Sequence, residues 1–294
     1  MGNGRQEIRL SNRIGDVQTR LDTVRELASV VTAMRGIAAA RVREAFARLP
    51  GIRACAGEIG AAIADAMTLA RPPEPASPPN DTTTGAMVVV VLGAEQGFVG
   101  TFNHRIMQAA QAAATDCAEY FVIGERAGLV ATEFGLPVAW TAGMIVHADA
   151  VDELADRIVN ALYHRLGTGG VSRVALVHGS PEAVGTSEIV ATSLLPFDFR
   201  RFKPVVRHFA PLIALPVLQL QERLVEEYVY TQICEALVLS FGAENEARMR
   251  AMIAARRNID ETARDLTREY QHLRQEQITT EIVELSIADG GHPA

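Results

Sequence analysis

Two very long stretches of helical periodicity, one at each end of the chain, constrain the fold more than any other feature. They cover residues 5–70 and 217–288. In the first stretch, apolar side chains recur every three or four residues, which is the spacing of a coiled-coil seam. These side chains are Ile14, Val17, Leu21, Val24, Ala28 and Val31. A single helix of this length cannot bury such a seam, so we expect the two ends of the chain to pair antiparallel.

The second stretch carries a matching apolar face with one charged residue in it, Arg256. In the first stretch, Pro50 and Gly51 are expected to kink or pause the helix, because proline removes a helical hydrogen bond. Together the two helices form one predicted coiled-coil domain. The apolar face of the second helix is formed by Met249, Met252, Ile259, Ala263, Leu266, Tyr270 and Leu273.

A compact α/β domain is predicted between the two helices, over residues 86–195. It is preceded by residues 71–85, which are rich in proline and without apolar periodicity and are therefore expected to be a linker. Residues 87–92 are entirely apolar and suit a strand buried on both faces. Helix and strand patterns then alternate at 103–114, 120–123, 125–134, 138–140, 150–166, 173–177 and 189–194. This alternation predicts a Rossmann-like, parallel α/β insert.

Composition and charge exclude several classes of partner. The formal net charge is -7 and no stretch concentrates Lys and Arg, so nucleic acid is not an expected partner. No run of about 18 apolar residues is present, so no transmembrane segment is expected. Residues 1–6 are not followed by the apolar region of a secretion signal, so a cytoplasmic location is expected.

The sequence offers no pattern that indicates a catalytic, cofactor or metal site. Its 3 cysteines and 7 histidines are scattered, without a zinc-ligand spacing. Gly93, Gly97 and Gly100 follow a strand and precede a helix, which fits either a phosphate cradle or a tight turn. The spacing is not GxGxxG, which favours the turn. No catalytic residue, cofactor or metal is therefore predicted.

Several motifs resemble those of one family, the gamma subunits of F-type ATP synthases. Near the start of the chain they are TAM at residues 32–34 and GIAAARVREA at 36–45. Near the end they are EARMRAM at 246–252, LTREY at 266–270, RQ at 274–275 and ITTEIVE at 278–284. In the middle, GFVGTFN at 97–103 resembles the family's GLCGGFN. The resemblance therefore covers both ends and the insert, in the same order.

The resemblance implies a non-catalytic rotor shaft in a proton- or sodium-translocating ATP synthase or ATPase. The expected partners are the ring of alpha and beta subunits, an epsilon subunit and the membrane ring of c subunits. The expected location is the cytoplasmic face of the inner membrane, as a peripheral protein held by the complex. The family's ring contacts correspond here to Met34, Arg248, Arg274, Gln275 and Thr279.

Two departures from the family pattern indicate a divergent branch. Residues 255–258 read ARRN where the family usually has ATDN, and Thr101 replaces a glycine. The alternative operons called N-ATPases are the branch that we expect. Two other interpretations remain open at this point: a coiled-coil scaffold with an α/β binding module, and a small-molecule enzyme built on the insert. The scaffold interpretation does not explain the motifs at the two ends of the chain. The enzyme interpretation is disfavoured because the sequence shows no recognisable set of catalytic residues.

Overall fold

The computed structural model describes residues 3–69, 85–181, 187–203 and 211–289 of the chain. It contains two compact units: unit 1 comprises Met1–Ile37 and Arg250–Ala294, and unit 2 comprises Ala38–Met249. Within the described ranges, none of the helices has a stretch that is apolar enough to cross a membrane. The predicted linker lies outside the described residues except for Gly85.

Ten helices and strands follow one another in an order close to the predicted one. They are α1 (Asn3–Leu69), β1 (Ala86–Leu92), α2 (Phe102–Ala113), β2 (Ala118–Ile123), α3 (Glu125–Glu133), β3 (Val138–Ala142), α4 (Val151–Gly167), β4 (Val171–Ser180), β5 (Glu188–Leu195) and α5 (Val217–Asp289). Two short 3-10 turns, Ala148–Ala150 and Phe199–Arg201, complete the described elements. The prediction of a long helix at each end, with an α/β insert between them, is confirmed.

The five strands of unit 2 form one sheet in the order β3-β2-β1-β4-β5. Four of them are parallel, but β5 is antiparallel to β4, with Ala191 opposite Val177. The prediction of a wholly parallel insert is therefore wrong at this edge. Only residues 181–187 separate the two strands, and a parallel crossover needs a dozen residues or more.

Both faces of the sheet are covered, as the apolar character of β1 requires. Val88, Val90 and Leu92 belong to one buried core, and Met87 and Val89 belong to the core on the other face. This division follows from the alternation of side chains along a strand. Helices α2 and α3 pack on the second face, and α4 and the unit 2 part of α1 pack on the first. Helix α5 contributes to both cores, with Leu237 in the first and Ala243 in the second. Both long helices are thus built into the core of unit 2.

Helix α1 continues through Pro50 without a break. The predicted pause at this residue is therefore wrong. The neighbouring side chains of Ala45 and Leu49 are buried against the sheet, and Ile52 packs on the same core. This packing stabilises the helical backbone on both sides of the proline and outweighs the lost hydrogen bond.

Unit 1 contains the predicted antiparallel seam. Val17, Leu21, Leu266 and Leu273 are buried together, and Leu10, Ile14, Val24, Ala263 and Tyr270 pack against them. The pairing is antiparallel because the guanidinium of Arg256, upstream of these residues on α5, reaches Ala28 and Thr32, downstream on α1. The predicted coiled coil between the two ends of the chain is confirmed.

Arg256, the charged residue in the seam, ties the two helices together. Its Nη1 donates to the carbonyl of Ala28 at 3.1 Å and to Oγ1 of Thr32 at 3.0 Å. Its Nε donates to Asp260 on its own helix at 2.9 Å. The guanidinium therefore fixes the register of α1 against α5 at a position where an apolar side chain would only pack.

Replacing Arg256 by alanine is expected to destabilise unit 1 by about 0.5–1.5 kcal/mol, because the hydrogen bonds to α1 are lost. Native-state hydrogen exchange at the α1 amides near Thr32 measures this loss. The matched control is Arg264→Ala, since Nε of Arg264 donates to the carbonyl of Asp260 within α5 and forms no bond to α1 among the described residues. Equal exchange in the two variants would contradict a role for Arg256 between the helices.

Candidate partner-binding surfaces

The crevice where doubly wound sheets bind ligands is filled in this chain by its own helix. Such crevices lie at the carboxyl ends of the strands where the strand order reverses, which here is between β1 and β4. The hydroxyl of Ser240, on α5, donates to the carbonyl of Leu92 at 2.6 Å and accepts from the Gly179 N–H at 3.3 Å. These two bonds anchor α5 to the ends of both strands.

The approach of α5 to β4 leaves no space for a ligand between them. A Cβ atom placed on Gly179 would lie 2.7 Å from Cβ of Ala243 and 2.7 Å from the ring of Phe102. The glycines after β1 form a turn, in which Gly100 has a φ of 58°. The arrangement thus favours the tight turn over a phosphate cradle, and it disfavours a small-molecule enzyme built on this crevice.

Arg248, a predicted ring contact, is buried in unit 2 with 4% of its surface exposed. Its guanidinium forms an ion pair with Glu244 at 2.6 Å and donates to Oδ1 of Asn245 at 2.9 Å. It also donates to the carbonyls of Gln96 and Gly97, at 3.2 Å each, in the loop after β1. The guanidinium is thus engaged within the chain, so a direct contact with a partner would require these bonds to break.

Glu244 extends this buried network to a second acidic residue. Its Oε2 accepts from the Glu95 N–H at 3.4 Å. The Glu95 carboxylate in turn accepts from the Met144 N–H at 2.7 Å and from the Glu125 N–H at 3.1 Å. Burial raises the pKa of the Glu244 carboxyl, and the charge of Arg248 opposes this shift. The network therefore links α5 to three loops at the carboxyl edge of the sheet.

Three other predicted contacts, Arg274, Gln275 and Thr279, are exposed on α5 in unit 1. Nη1 of Arg274 donates to the hydroxyl of Tyr270 at 3.3 Å, and Oγ1 of Thr279 donates to the carbonyl of Gln275 at 2.8 Å. In the described part of the chain, no carboxylate pairs with Arg274. Its charge is therefore available for a partner.

Met34, the remaining predicted contact, is half-buried on α1 in unit 1. Since Ala28 lies beside Arg256, antiparallel pairing places Met34 at a different level of the helix pair from Arg274. The predicted contacts therefore form no single cluster: Arg248 lies in unit 2, while in unit 1 Arg274, Gln275 and Thr279 lie together on α5 and Met34 lies at a different level on α1.

Sequence reasoning missed an exposed apolar stripe that runs through Met34. Leu27, Val30 and Ile37 are 50%, 54% and 55% exposed. Their spacing of three and four residues puts them on one face of α1 with Met34, beside the seam. The signal is present in the sequence as a second heptad series, which the stronger seam pattern obscured. On α5, Ile278 and Ile282 are likewise exposed, next to Arg274 and Thr279.

No group of three or more potential ligand side chains that could hold a metal ion occurs among the residues that the structure describes. The polar networks are instead made of ion pairs and backbone hydrogen bonds. These surfaces are suited to protein contacts, with apolar stripes on unit 1 and a buried network that shapes a loop of unit 2.

Comparisons with known proteins identify the family. The family model described as ATP synthase matches residues 13–288. The ATP synthase gamma chain of Bdellovibrio bacteriovorus is 25% identical over 283 residues, covering 92% of this chain and 95% of the relative. The gamma chain of Parafrankia sp. is 28% identical over 295 residues, covering 94% and 96%.

Two solved structures share the fold. A chain of the Euglena gracilis mitochondrial ATP synthase, in its OSCP/F1/c-ring assembly, has a TM-score of 0.64 at 13% identity, with 97% of each chain covered. A chain of the Tetrahymena thermophila central stalk and c-ring has a TM-score of 0.54 at 19% identity, covering 77% of this chain and 99% of that one. With the family match over most of the chain, these findings show that the chain belongs to the gamma-chain family of ATP synthases.

Proposed function

We propose that this gamma chain is the central rotor shaft of an F-type ATP synthase or ATPase. In this role it couples ion flow through the membrane ring to ATP synthesis or hydrolysis in the ring of alpha and beta subunits. The observation that carries the proposal is the antiparallel seam of unit 1, where Leu21 and Leu266 are buried together although they come from opposite ends of the chain. A shaft needs stiffness, which continuous helices with interlocked side chains supply.

Unit 1 supplies the contacts with the alpha and beta subunits in this proposal. The Met34 stripe (Leu27, Val30, Met34 and Ile37) offers an apolar surface, which in a soluble chain marks an interaction site. Arg274, Gln275 and Thr279 offer hydrogen-bonding groups beside the exposed side chains of Ile278 and Ile282. Arginine suits a partner carboxylate, because its planar fork can donate two parallel hydrogen bonds.

Unit 2 contacts the epsilon subunit and the c-ring in the same proposal. The chain is thereby held at the cytoplasmic face of the inner membrane, and the coupling ion is a proton or sodium. The structural relatives come from assemblies that contain a c-ring, which supports this arrangement. The modest identity to full-length gamma chains, together with Arg256 and Arg257 in place of the usual family residues, supports a divergent branch such as the N-ATPases.

Torque is carried by many contacts rather than by one ion pair. An exposed pair contributes about 0–1 kcal/mol, which is small beside the work obtained from one ATP. Arg274 is exposed and its only described hydrogen bond is to Tyr270. A single residue of this kind therefore adjusts the coupling but does not determine it.

Replacing Arg274 by alanine is accordingly expected to weaken the coupling between rotation and ATP hydrolysis without abolishing it. Rotation-coupled hydrolysis by the assembled complex measures this effect. The matched control is Arg268→Ala on the same helix, because Arg268 already pairs with Asp265 at 2.6 Å. Complete loss of coupling in Arg274→Ala would contradict the distribution of torque over many contacts.

Reconstitution tests the proposed function as a whole. The isolated chain is mixed with F-type alpha and beta subunits from the same organism, and assembly and ATPase activity are measured. A stable complex whose ATPase activity depends on the chain is the expected result. Failure to assemble, or capture of unrelated partners by the same chain, would favour a coiled-coil scaffold instead.

A further inference from the structure

Unit 2 contains an apolar cavity, apart from the filled crevice between β1 and β4. Its volume is about 400 Å³, and it lies between α4, strands β4 and β5, and the start of α5. Leu162, Val174 and Leu194, which are almost fully buried, form part of its wall. Protein cores rarely contain voids larger than a water molecule, whereas sites for small organic molecules typically occupy about 300–1,000 Å³. The cavity therefore has the size and the apolar lining of a ligand site.

One wall of the cavity is held in place by an aromatic cluster. Phe197 and Phe199 line the cavity, and their ring centroids are 4.9 Å apart. The ring of Phe197 also stacks on that of Phe202 and meets the ring of Tyr228 edge-on, at a centroid distance of 5.7 Å in each case. Aromatic pairs at such distances stabilise one another beyond the area that they bury. The wall is thus formed before a ligand arrives, which lowers the entropic cost of binding.

The charged side chains of the cavity are both acidic. Glu222 and Glu226 lie one turn apart on α5 and line the cavity, and no lysine, arginine or histidine is among the described lining residues. Glu226 pairs with Arg223 on its own helix at 2.9 Å. Glu222 is exposed and has no cationic partner within the described ranges. Like charges four residues apart on a helix repel each other, so a cation at this opening would relieve the repulsion.

Tyr163 brings a hydroxyl from α4 to the same opening. Burial raises the pKa of this hydroxyl, and the negative charge of Glu226 raises it further, while Arg223 opposes the shift. The phenol is therefore neutral at physiological pH and lies within electrostatic reach of Glu226. Two carboxylates and a neutral hydroxyl are groups that accept hydrogen bonds from an ammonium group.

We propose that this cavity binds a small amphipathic cation, whose apolar body fills the space between α4 and α5 and whose ammonium group pairs with Glu222. The inference goes beyond the role of the chain as a shaft, since it assigns a ligand to unit 2. A neutral molecule would leave the repulsion between Glu222 and Glu226 in place, and an anion would add to it. An apolar protein surface is disfavoured as the occupant, because it would cover the two carboxylates and remove them from water.

Titration calorimetry of the full chain with three matched compounds tests the class of ligand. Phenylbutylamine, phenylbutanol and phenylbutanoate share one apolar body and carry a cationic, a neutral and an anionic head. We expect the amine to bind about threefold more tightly than the alcohol, the scale of one exposed ion pair, and the carboxylate to bind most weakly. Equal affinities for the three compounds, or no binding of the amine at millimolar concentration, would overturn the proposal.

Replacing Glu222 by glutamine tests the pairing at the opening. The side chain keeps its size but loses its charge, so the affinity for phenylbutylamine is expected to fall about threefold while that for phenylbutanol stays unchanged. The matched control is Glu227→Gln, because Glu227 is an exposed carboxylate of the same helix outside the cavity lining. Equal effects of the two variants on amine binding would refute the assignment of Glu222.

Filling the cavity tests the location of the apolar body. Val225 lines the cavity and is only partly buried, so Val225→Phe places a larger side chain in the empty volume without disturbing the inner wall. We expect the affinities for the amine and the alcohol to fall about tenfold or more, with the denaturation midpoint unchanged or raised. Amine binding that is unaffected by Val225→Phe would overturn the proposal. Should this variant not fold, the surface change Glu222→Gln decides the question by itself.

The same titration of the chain assembled with alpha, beta and epsilon subunits tests whether the cavity remains open in a complex. We expect an affinity for phenylbutylamine equal to that of the isolated chain. Loss of amine binding on assembly would overturn the proposal, because a partner subunit would then be the occupant.

Discussion

Replacing Arg248 by methionine is expected to lower the free energy of unfolding of unit 2 by about 3–5 kcal/mol. The loss arises because the Glu244 carboxylate, whose side chain is only 4% exposed, remains buried without its partner. The carbonyls of Gln96 and Gly97 also lose their donor. Urea denaturation followed by the fluorescence of Trp140, the only tryptophan, reports on unit 2, since Trp140 packs against Phe121 in the sheet.

Two controls distinguish the effect of the unpaired buried charge of Glu244 from the effect of removing any arginine. Combining Glu244→Gln with Arg248→Met removes the unpaired charge while the side chain can still accept from the Glu95 N–H, so most of the stability is expected to return. Arg165→Met breaks a partly exposed pair with Glu119, and we expect it to cost only about 1 kcal/mol. Equal losses in Arg248→Met and in the double variant would contradict the role assigned to the buried carboxylate.

The stability deficit of Arg248→Met is expected to depend on pH. Burial raises the pKa of Glu244, and in the unaltered chain Arg248 opposes that shift. Removing Arg248 therefore raises the pKa further. When the pKa of a carboxyl is higher in the folded chain than in the unfolded chain, protonation favours the folded state. This contribution to stability is complete below the ordinary pKa of 4.5 and is lost as the pH rises through the pKa of the folded chain. The deficit should thus be small in acid and largest near neutral pH, and a constant deficit would exclude this cause.

Replacing Leu273 by aspartate is expected to open the seam of unit 1. The side chain is 3% exposed, and truncation of a buried leucine to alanine alone costs about 2–5 kcal/mol. Aspartate adds the cost of a buried, unpaired charge. Hydrogen exchange at the α1 amides near Ile14 and Val17 measures the effect on the helix that carries no substitution. In the assembled complex, the same variant is expected to hydrolyse ATP without coupled rotation.

The neighbouring residue on α5 provides the control for this variant. The side chain of His272 is 73% exposed, so His272→Asp places the same carboxylate in water one residue away. It should leave exchange in α1 nearly unchanged. The fluorescence of Trp140 should remain native in both variants, because unit 2 has its own cores. Protection of Ile14 and Val17 that is unaffected by Leu273→Asp would show that the seam does not stabilise unit 1.

The periodic parts of the fold could be predicted from the sequence, and the parts that depend on distant residues could not. The seam residues Val17, Leu21, Leu266 and Leu273 follow a regular spacing, so their burial together was predictable. Local patterns do not contain strand direction, so the antiparallel pairing of β5 was missed. Proline also has a local preference that packing can override, as the continuous helix at Pro50 shows.

The same distinction applies to the candidate partner surfaces. Family motifs pointed to Arg248, but a linear motif cannot show that a guanidinium is turned inward to hold the loop after β1. The motif also does not reveal that Phe98, in the loop after β1, has a positive φ and an exposed side chain. The stripe of Leu27, Val30 and Ile37 was readable in principle, because its spacing is as regular as that of the seam. It shows that one helix can carry two apolar faces with different roles.

The pairing of the two chain ends also determines when this protein can finish folding. Val17 and Leu21 leave the ribosome long before Leu266 and Leu273 are made. Throughout synthesis the first helix therefore exposes apolar side chains that have no native partner, and contacts of such long sequence separation form slowly. The nascent first helix is the segment most exposed to association with other unfinished chains and to capture by chaperones.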